Sequence, residues 1–289
     1  MGIDIGPFRG SEALRSGALS RYDLGRNYEK VFRDTYVRAG TNLDARTLAY
    51  AASVCVGDAA VIAGASAAAV HGAKWIDSSM PPSVLARDKS HQLSGLRIHQ
   101  DSFDPCDVVD VRGFSVTTPV RTAFDIGRWV ASPQSVVLLD SLMAATGLDA
   151  GRVRAYGVRR PGTRGIRRLL EALDVVDAGA ESPQETRTRL LLIEAGLPKP
   201  ETQVEVRDNF GRFVARIDIG WSRWRVGVEY DGVHHWLDER QRTRDIERFE
   251  DLHQCKWQIV RVNSEQLRRR PENVVRRVRA ALREAGAIV

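Results

Sequence analysis

Three carboxylates in the last third of the chain have the spacing of a reactive site. Asp218 lies in the apolar run RIDIGW, and Glu229 and Asp231 lie in the next run, VGVEYD. Residues i and i+2 of a strand point to one face, so Glu229 and Asp231 project together, and a short hairpin can bring Asp218 beside them. Converging carboxylates repel one another unless a proton or a hard cation neutralises them, and an all-oxygen ligand set suits Mg2+ or Mn2+. The same spacing fits a solvated hairpin whose acids pair with Arg216 and Arg225. His235, just past the turn at Gly232, reads either as an imidazole able to accept a proton near neutrality or as a histidine that closes the loop. Tyr230 shares the opposite face with Val226 and Val228, which makes it a core residue.

The surrounding elements are legible from local signals. Ser182 caps a helix with Pro183 in its first turn, which sets Glu185 in that turn and repeats Glu185, Arg189 and Leu192 along one stripe. Gly196 ends this helix, and Pro198 and Pro200 forbid its continuation. Strands are predicted at 203–208, 213–221 and 224–232, the first two joined by a turn containing Asn209 and Gly211. A helix from Glu239 to about Gln254 then crosses to the strand WQIVRVN, which is predicted to run parallel to its neighbour with a right-handed crossover. The result is an α/β/α core. Asp245 and Arg248 sit on the crossover helix, where they could support the site, bind a phosphate strand or form an exposed ion pair.

The run VEYDGVHH, preceded by ARIDIGW and followed by Asp245, Arg248 and KWQIVRV, resembles the DUF559 branch of the PD-(D/E)xK nuclease superfamily. The best understood relatives in that branch are very-short-patch-repair endonucleases. ESPQETRTRLLLIEAGLPKPETQVEV is similar to the family's opening helix and first strand, so the resemblance covers about residues 180–283. It implies a restriction-endonuclease-like core, Mg2+-dependent hydrolysis of DNA phosphodiesters, Asp218 and Glu229 as metal ligands, and Glu185 as the acid of the opening helix. One departure matters. The family signature has a lysine two residues after the second acid, where this chain has Asp231, and the repair endonucleases imply that His235 or His234 takes the role of base. Asp231, His234, Asp245 and Arg248 then stand as supporting residues.

Length, charge and cysteines bound the rest. The 289 residues exceed one small nuclease domain of about a hundred, so two or three packed units are expected. A net charge of +6 fits a nucleic-acid partner, although it also fits a membrane surface or an acidic protein. The positive charge is dense after Arg240 and comes from arginine more than lysine, which suits bidentate phosphate contacts. Cys55, Cys106 and Cys255 have no paired or CxxC spacing, which argues against zinc and disulfides and for a reducing, cytoplasmic setting. The most apolar stretch, Ala49 to Ala73, is rich in Ala and Gly and broken by Asp58 and His71. It reads as two close-packed helices rather than a membrane span. No phosphate-binding loop, dinucleotide fingerprint or nucleophile elbow is present.

Toward the amino terminus, a short helix near Glu12 to Ser16, a turn at Gly17 and a second helix from Ser20 follow helix-turn-helix logic. Ser20 and Asp23 form a capping pair, and Arg21, Arg26 and Lys30, with Tyr22 and Tyr28, give the second helix a basic, aromatic outer face. The segment KVFRDTYVRAG alternates like a strand and could form a wing. GALSRYDLGRNYEKVFRDTYVRAG and AGASAAAVHGA resemble the winged-helix and following region of AbiEi-type antitoxins, which are bacterial transcription regulators. A small helical core with ordinary surface arginines fits as well. Arg21 and Arg26 are the candidates for base contact. His71 reads as a packing or loop-ordering residue.

In the middle, Pro81 and Pro82 mark a break before strands at 82–87, 96–100 and 114–118. A helix follows, capped at Thr117 or Thr118, on which Arg121, Asp125 and Arg128 have the spacing of an intrahelical salt bridge. A helix near Gln134 to Ala145 and the basic turn RRPGTRGIRR come next. The expected organisation is a winged helix-turn-helix at 1–78, an α+β connecting domain at 79–177 and the nuclease-like α/β core at 178–289. The expected function is a Mg2+-dependent DNA endonuclease using Glu185, Asp218, Glu229 and His235. The alternative is a non-catalytic DNA-binding regulator, favoured by the missing lysine. Winged-helix proteins often dimerise on symmetric sites, which is compatible with a homodimer, yet nothing in the sequence marks an interface.

Overall fold

Capping chemistry starts several helices where the sequence predicts them. A computed structural model describes residues 6–86, 93–231 and 239–289, with the backbone course alone for 239–246. The chain divides into two units, Met1–Val176 and Asp177–Val289.

The first unit opens with β1 (Phe8–Arg9), α1 (Gly10–Arg15) and α2 (Arg21–Asn27), followed by β2 (Tyr28–Phe32) and β3 (Thr35–Arg38). The Ser20 hydroxyl accepts the Asp23 N–H at 3.0 Å, and the Asp23 carboxylate accepts the Ser20 N–H at 3.2 Å, completing a capping box on α2. The helix is shorter than expected. Tyr28 turns extended at φ −134°, so Tyr28 and Lys30 lie on β2 and not on the helix. The β-favouring run YEKVF outweighs the marginal propensity of a seven-residue helix with Gly25 inside it. β2 and β3 form an antiparallel hairpin in a sheet of order β1-β3-β2.

Next come α3 (Ala45–Val56), β4 (Val61–Ile62), α4 (Gly64–Val70), β5 (Ser83–Leu85), β6 (Arg97–His99), β7 (Val108–Val111) and β8 (Phe114–Thr117). The five strands β4 to β8 make one sheet of order β6-β5-β4-β8-β7. β4 pairs with β5 and β8, so the sheet runs across position 78, and the stretches expected as separate domains at 1–78 and 79–177 share one unit. Ala49 and Ala52 of α3 and Ala67 and Ala68 of α4 are fully buried, as close helix packing requires. A His71 ring nitrogen lies 2.7 Å from the Thr117 carbonyl and ties the end of α4 to β8, which is an ordering role. Four helices complete the unit: α5 (Pro119–Trp129), α6 (Gln134–Thr146), α7 (Ala150–Val158) and α8 (Ile166–Val175). Thr118 caps α5 with Pro119 at its first position.

The second unit runs α9 (Pro183–Glu194), β9 (Glu201–Arg207), β10 (Phe213–Trp221), β11 (Val226–Asp231), α10 (Glu239–Gln254), β12 (Gln258–Asn263), α11 (Ser264–Arg269) and α12 (Pro271–Glu284). Its sheet has the order β12-β11-β10-β9, antiparallel except for the β11–β12 pair that α10 connects. The turn-linked strands and the parallel return of β12 are as the sequence predicts. Two apolar clusters flank the sheet. Leu192, Ile219, Trp221, Val226, Val228, Val274 and Val278 belong to one, and Val204, Val206, Ala215, Ile217 and Leu252 to the other.

Candidate active site

Ile217 and Ile219 are two residues apart on β10, and a regular strand would put both on one face. They are in opposite clusters. Ile219 pairs with Val228 on the face of α9 and α12, whereas Ile217 touches the position where a Cβ on Gly227 would stand, only 2.8 Å away, on the face of Leu252 of α10. Side-chain alternation therefore switches at Asp218, and Gly227 is needed because a methyl there would strike Ile217 and Ile259.

Both ladders of β10 are interrupted at this residue. Toward β11 the paired rungs end at Ile219 and Val228, and the Tyr230 N–H donates instead to Asp218 Oδ2 at 2.9 Å. Toward β9 the rungs run from Ile217–Val204 to Ile219–Thr202, and Gln203 between them has φ +52°. A left-handed glutamine inside a strand is backbone strain of the kind that collects at functional sites. Its side chain has a use: Gln203 Nε2 donates to Glu185 Oε2 at 3.0 Å. The Glu181 N–H donates to the same oxygen at 2.8 Å, and Ser182 caps α9 by accepting the Glu185 N–H at 3.2 Å.

Asp218, Glu229 and Glu185 share one electrostatic environment. Burial raises the carboxyl pKa of each above its ordinary value, and the Asp218 charge adds to the rise at both Glu185 and Glu229. Glu229 is 8 % exposed and is held by Arg248 of α10, with Nη1 at 3.3 Å from Oε2 and Nη2 against Oε1. Arg248 Nη2 also donates to the Arg216 carbonyl at 3.0 Å. Arg216 pairs with Glu181 at 2.7 Å, and Arg225 donates to the Cys255 carbonyl, so among the described residues neither makes a direct ion pair with Asp218, Glu229 or Asp231. Asp231 is drawn to Arg261 of β12 at 2.6 Å. His234, His235 and the Asp245 side chain lie outside the described residues.

Oxygen donors that are buried, mutually repelling and raised in pKa fit a hard divalent cation. Asp218 keeps Oδ1 without a hydrogen-bond partner among the described residues, while each Glu229 oxygen accepts one bond from Arg248 and retains a lone pair. Among the described residues no group of three or more His, Cys, Asp and Glu side chains has the geometry to hold a metal. Asp218 and Glu229 are the two that could.

Of the amino-terminal candidates, Arg21 is exposed at the start of α2, Arg26 donates to the Tyr22 hydroxyl at 2.6 Å, and Lys30 is exposed on β2. Gln203 and Glu181 are site residues that the sequence does not disclose. A positive φ has no signature at a glutamine, and Glu181 precedes the helix it helps to order.

Residues 193–282 match the family model REase_MTES_1575, a restriction-endonuclease-like family. This part of the chain is thus similar to a restriction-endonuclease-like domain, which supports a domain of that class and suggests a nuclease. The match includes Asp218, Glu229 and Arg248 and begins after Glu185. Two Mycobacterium tuberculosis proteins, "Uncharacterized protein MT2308" of strain CDC 1551 / Oshkosh and "Uncharacterized protein Rv2248" of strain ATCC 25618 / H37Rv, are each 26% identical to it over 227 residues. That is 78% of this chain and 80% of each relative. No solved structure matches the chain significantly. Among the described residues no helix is long and apolar enough to cross a membrane.

Proposed function

We propose that the protein is a Mg2+-dependent DNA endonuclease whose reaction takes place where β10 and β11 part. The observation that carries this reading is the interrupted ladder at Asp218. Two strands of a restriction-endonuclease-like domain separate there and set Asp218 and Glu229 in an environment that raises both carboxyls. Asp218 and Glu229 would hold Mg2+ or Mn2+, which when bound lowers the pKa of a coordinated water and offsets phosphate charge. Glu185, fixed by Gln203 and the Glu181 N–H, is a third carboxyl electrostatically coupled to Asp218. His235, or His234, is assigned as the proton acceptor in place of the lysine that Asp231 replaces. Arg21, Arg26 and Lys30 of the first unit would contact the DNA backbone or bases from an arrangement of two short helices and a hairpin compatible with a winged helix.

One observation favours a second reading, a DNA-binding regulator without catalysis. Arg248 already balances Glu229, and Arg261 balances Asp231, so the site could stand as a set of ion pairs. Plasmid nicking in Mg2+ or Mn2+ separates the two. The endonuclease reading expects cleavage that Asp218→Ala, Glu229→Ala and His235→Ala each reduce by about a hundredfold or more, with DNA affinity kept. Duplex binding by the wild type with no divalent-dependent cleavage would leave the regulator.

A further inference from the structure

A groove of about 760 Å³ lies between the start of α5 and one flank of α7, bounded by Thr118, Val120, Leu148, Arg152, Tyr156 and Arg159 among others. Its walls are braced from beneath. The buried Tyr156 donates its hydroxyl to Asp107 Oδ1 at 2.8 Å, Arg121 reaches Asp107 Oδ2 at 3.2 Å, and the Asp107 carbonyl accepts the N–H of Thr118 at 2.8 Å. Arg160 lies over the Tyr156 ring, 3.7 Å from its centroid, and donates to Asp104 at 3.1 Å. The one acid lining the groove, Asp107, is therefore satisfied.

Arg152 and Arg159 differ from these braced residues. Both side chains are exposed on the groove, and neither makes a hydrogen bond or ion pair with the described residues. Arg152 is on α7 and Arg159 is the residue that caps its carboxyl end with αR backbone, seven positions on, which corresponds to about 10 Å along the helix axis. Successive phosphates of one strand wind around the axis and so lie farther apart than the axial rise of ~3.4 Å per nucleotide, and a separation of this size reaches neighbouring phosphates of one strand. Arginine is suited to such contacts because its fork can meet two phosphate oxygens at once. The apolar wall of Val120, Leu148 and Ala155 gives sugar faces a surface to pack on.

We propose that this groove binds the phosphodiester backbone of nucleic acid, with Arg152 and Arg159 each engaging a phosphate. The inference rests on nucleic acid being the ligand of the protein and is independent of the chemistry at Asp218. The test uses the full chain and fluorescence anisotropy with a labelled duplex across a KCl series. Arg152→Glu/Arg159→Glu is expected to weaken binding at low salt by about tenfold or more and to reduce the log–log salt slope by about 2. Arg207→Glu/Arg212→Glu, reversing two exposed arginines of the other unit, is expected to leave that slope in place. Arg152→Gln/Arg159→Gln should fall between, which guards against loss by misfolding.

Equal losses from both charge-reversed pairs, an unchanged slope, or no duplex binding by the wild type overturns the proposal. So does stabilisation of the wild type by inorganic phosphate that requires Arg152 and Arg159 while duplex binding does not. Absence of cleavage with the binding pattern intact would remove the endonuclease reading alone.

Discussion

Both terminal nitrogens of Arg248 lie on the carboxylate of Glu229, a contact in which the acid's side chain is 10% exposed and the arginine's is 34%. The pair spans α10 and β11 and gives a largely buried acid its counter-charge. Removing the guanidinium leaves that carboxylate unpaired, so Arg248→Ala is predicted to cost about 1–3 kcal/mol. Glu229→Gln in the same chain should recover part of the loss. If Glu229 is a cation ligand, Mg2+ should raise the melting temperature of Arg248→Ala more than that of the wild type, because the ion replaces the missing charge. Equal shifts in the two proteins would deny Glu229 that role.

Asp218 carries the opposite kind of cost. Burial pushes its carboxyl up, the Tyr230 N–H and the charges of Arg248 and Arg216 oppose the rise, and Glu181 adds to it. A carboxyl raised on folding binds its proton more tightly in the native state, so stability falls as pH rises from the unfolded value, about 4, through the folded one. Asp218→Asn keeps an oxygen for the Tyr230 N–H and removes the charge. It is predicted to stabilise the protein by about 0.5–2 kcal/mol above neutral pH, with the gain shrinking toward about pH 4, and to abolish any divalent-dependent cleavage. Urea denaturation at several pH values checks this. A variant less stable than the wild type at every pH would mean the carboxylate is favourably paired.

How much of this could be read from the sequence depended on the range of the forces involved. The Ser20–Asp23 box, the Thr118 cap with Pro119, the Ser182 start of α9 and its end at Gly196 follow from residues a few positions apart, and all are present. The parallel return of β12 was legible because a helix-period segment separates two strand-period runs. Lys30 was misplaced onto a helix because the hairpin pairing of β2 with β3 ends α2 early. The sheet across position 78 depends on a two-residue strand, β4, whose pairing no local pattern announces. At the site, the face shared by Glu229 and Asp231 could be expected. That Asp231 would be drawn to Arg261 and Glu229 to Arg248 could not, because both partners arrive from the crossover helix and the strand beyond it.

Gln203 tests whether backbone strain is spent on holding Glu185. Its φ of +52° is costly for a residue with a Cβ and nearly free for glycine, while its amide is a hydrogen-bond donor to Glu185. Gln203→Ala keeps the strain and loses the bond, so it should destabilise by about 1–2 kcal/mol. Gln203→Gly loses the same bond and relieves the strain, and should be more stable than Gln203→Ala by about 1 kcal/mol. Cleavage should drop in both to the same extent if Glu185 needs the amide for its position. Alanine and glycine variants of equal stability would show that no strain is stored at this position.

Arg121 is the most demanding side chain of the first unit. It is 1% exposed, and its Nε lies 3.0 Å from both oxygens of the fully buried Asp125, while Nη1 donates to the Ser102 carbonyl at 2.8 Å and to Asp107 at 3.2 Å. Asp125 also accepts from Arg128 at 2.9 Å, so the intrahelical salt bridge that the spacing predicts forms and is the centre of an interior charge network. Lysine has neither the reach nor the number of planar donors to satisfy these acceptors together. Arg121→Met is predicted to cost about 3–5 kcal/mol, because two carboxylates stay buried with too few donors, and Arg121→Lys to recover less than half of that. Arg121→Met/Asp125→Leu should be more stable than Arg121→Met alone, since removing the second charge removes the larger part of the penalty. Urea denaturation followed by tryptophan fluorescence measures all three. A loss below about 1 kcal/mol for Arg121→Met would mean that water enters to solvate the remaining acids, and the network would then be a surface feature in energetic terms.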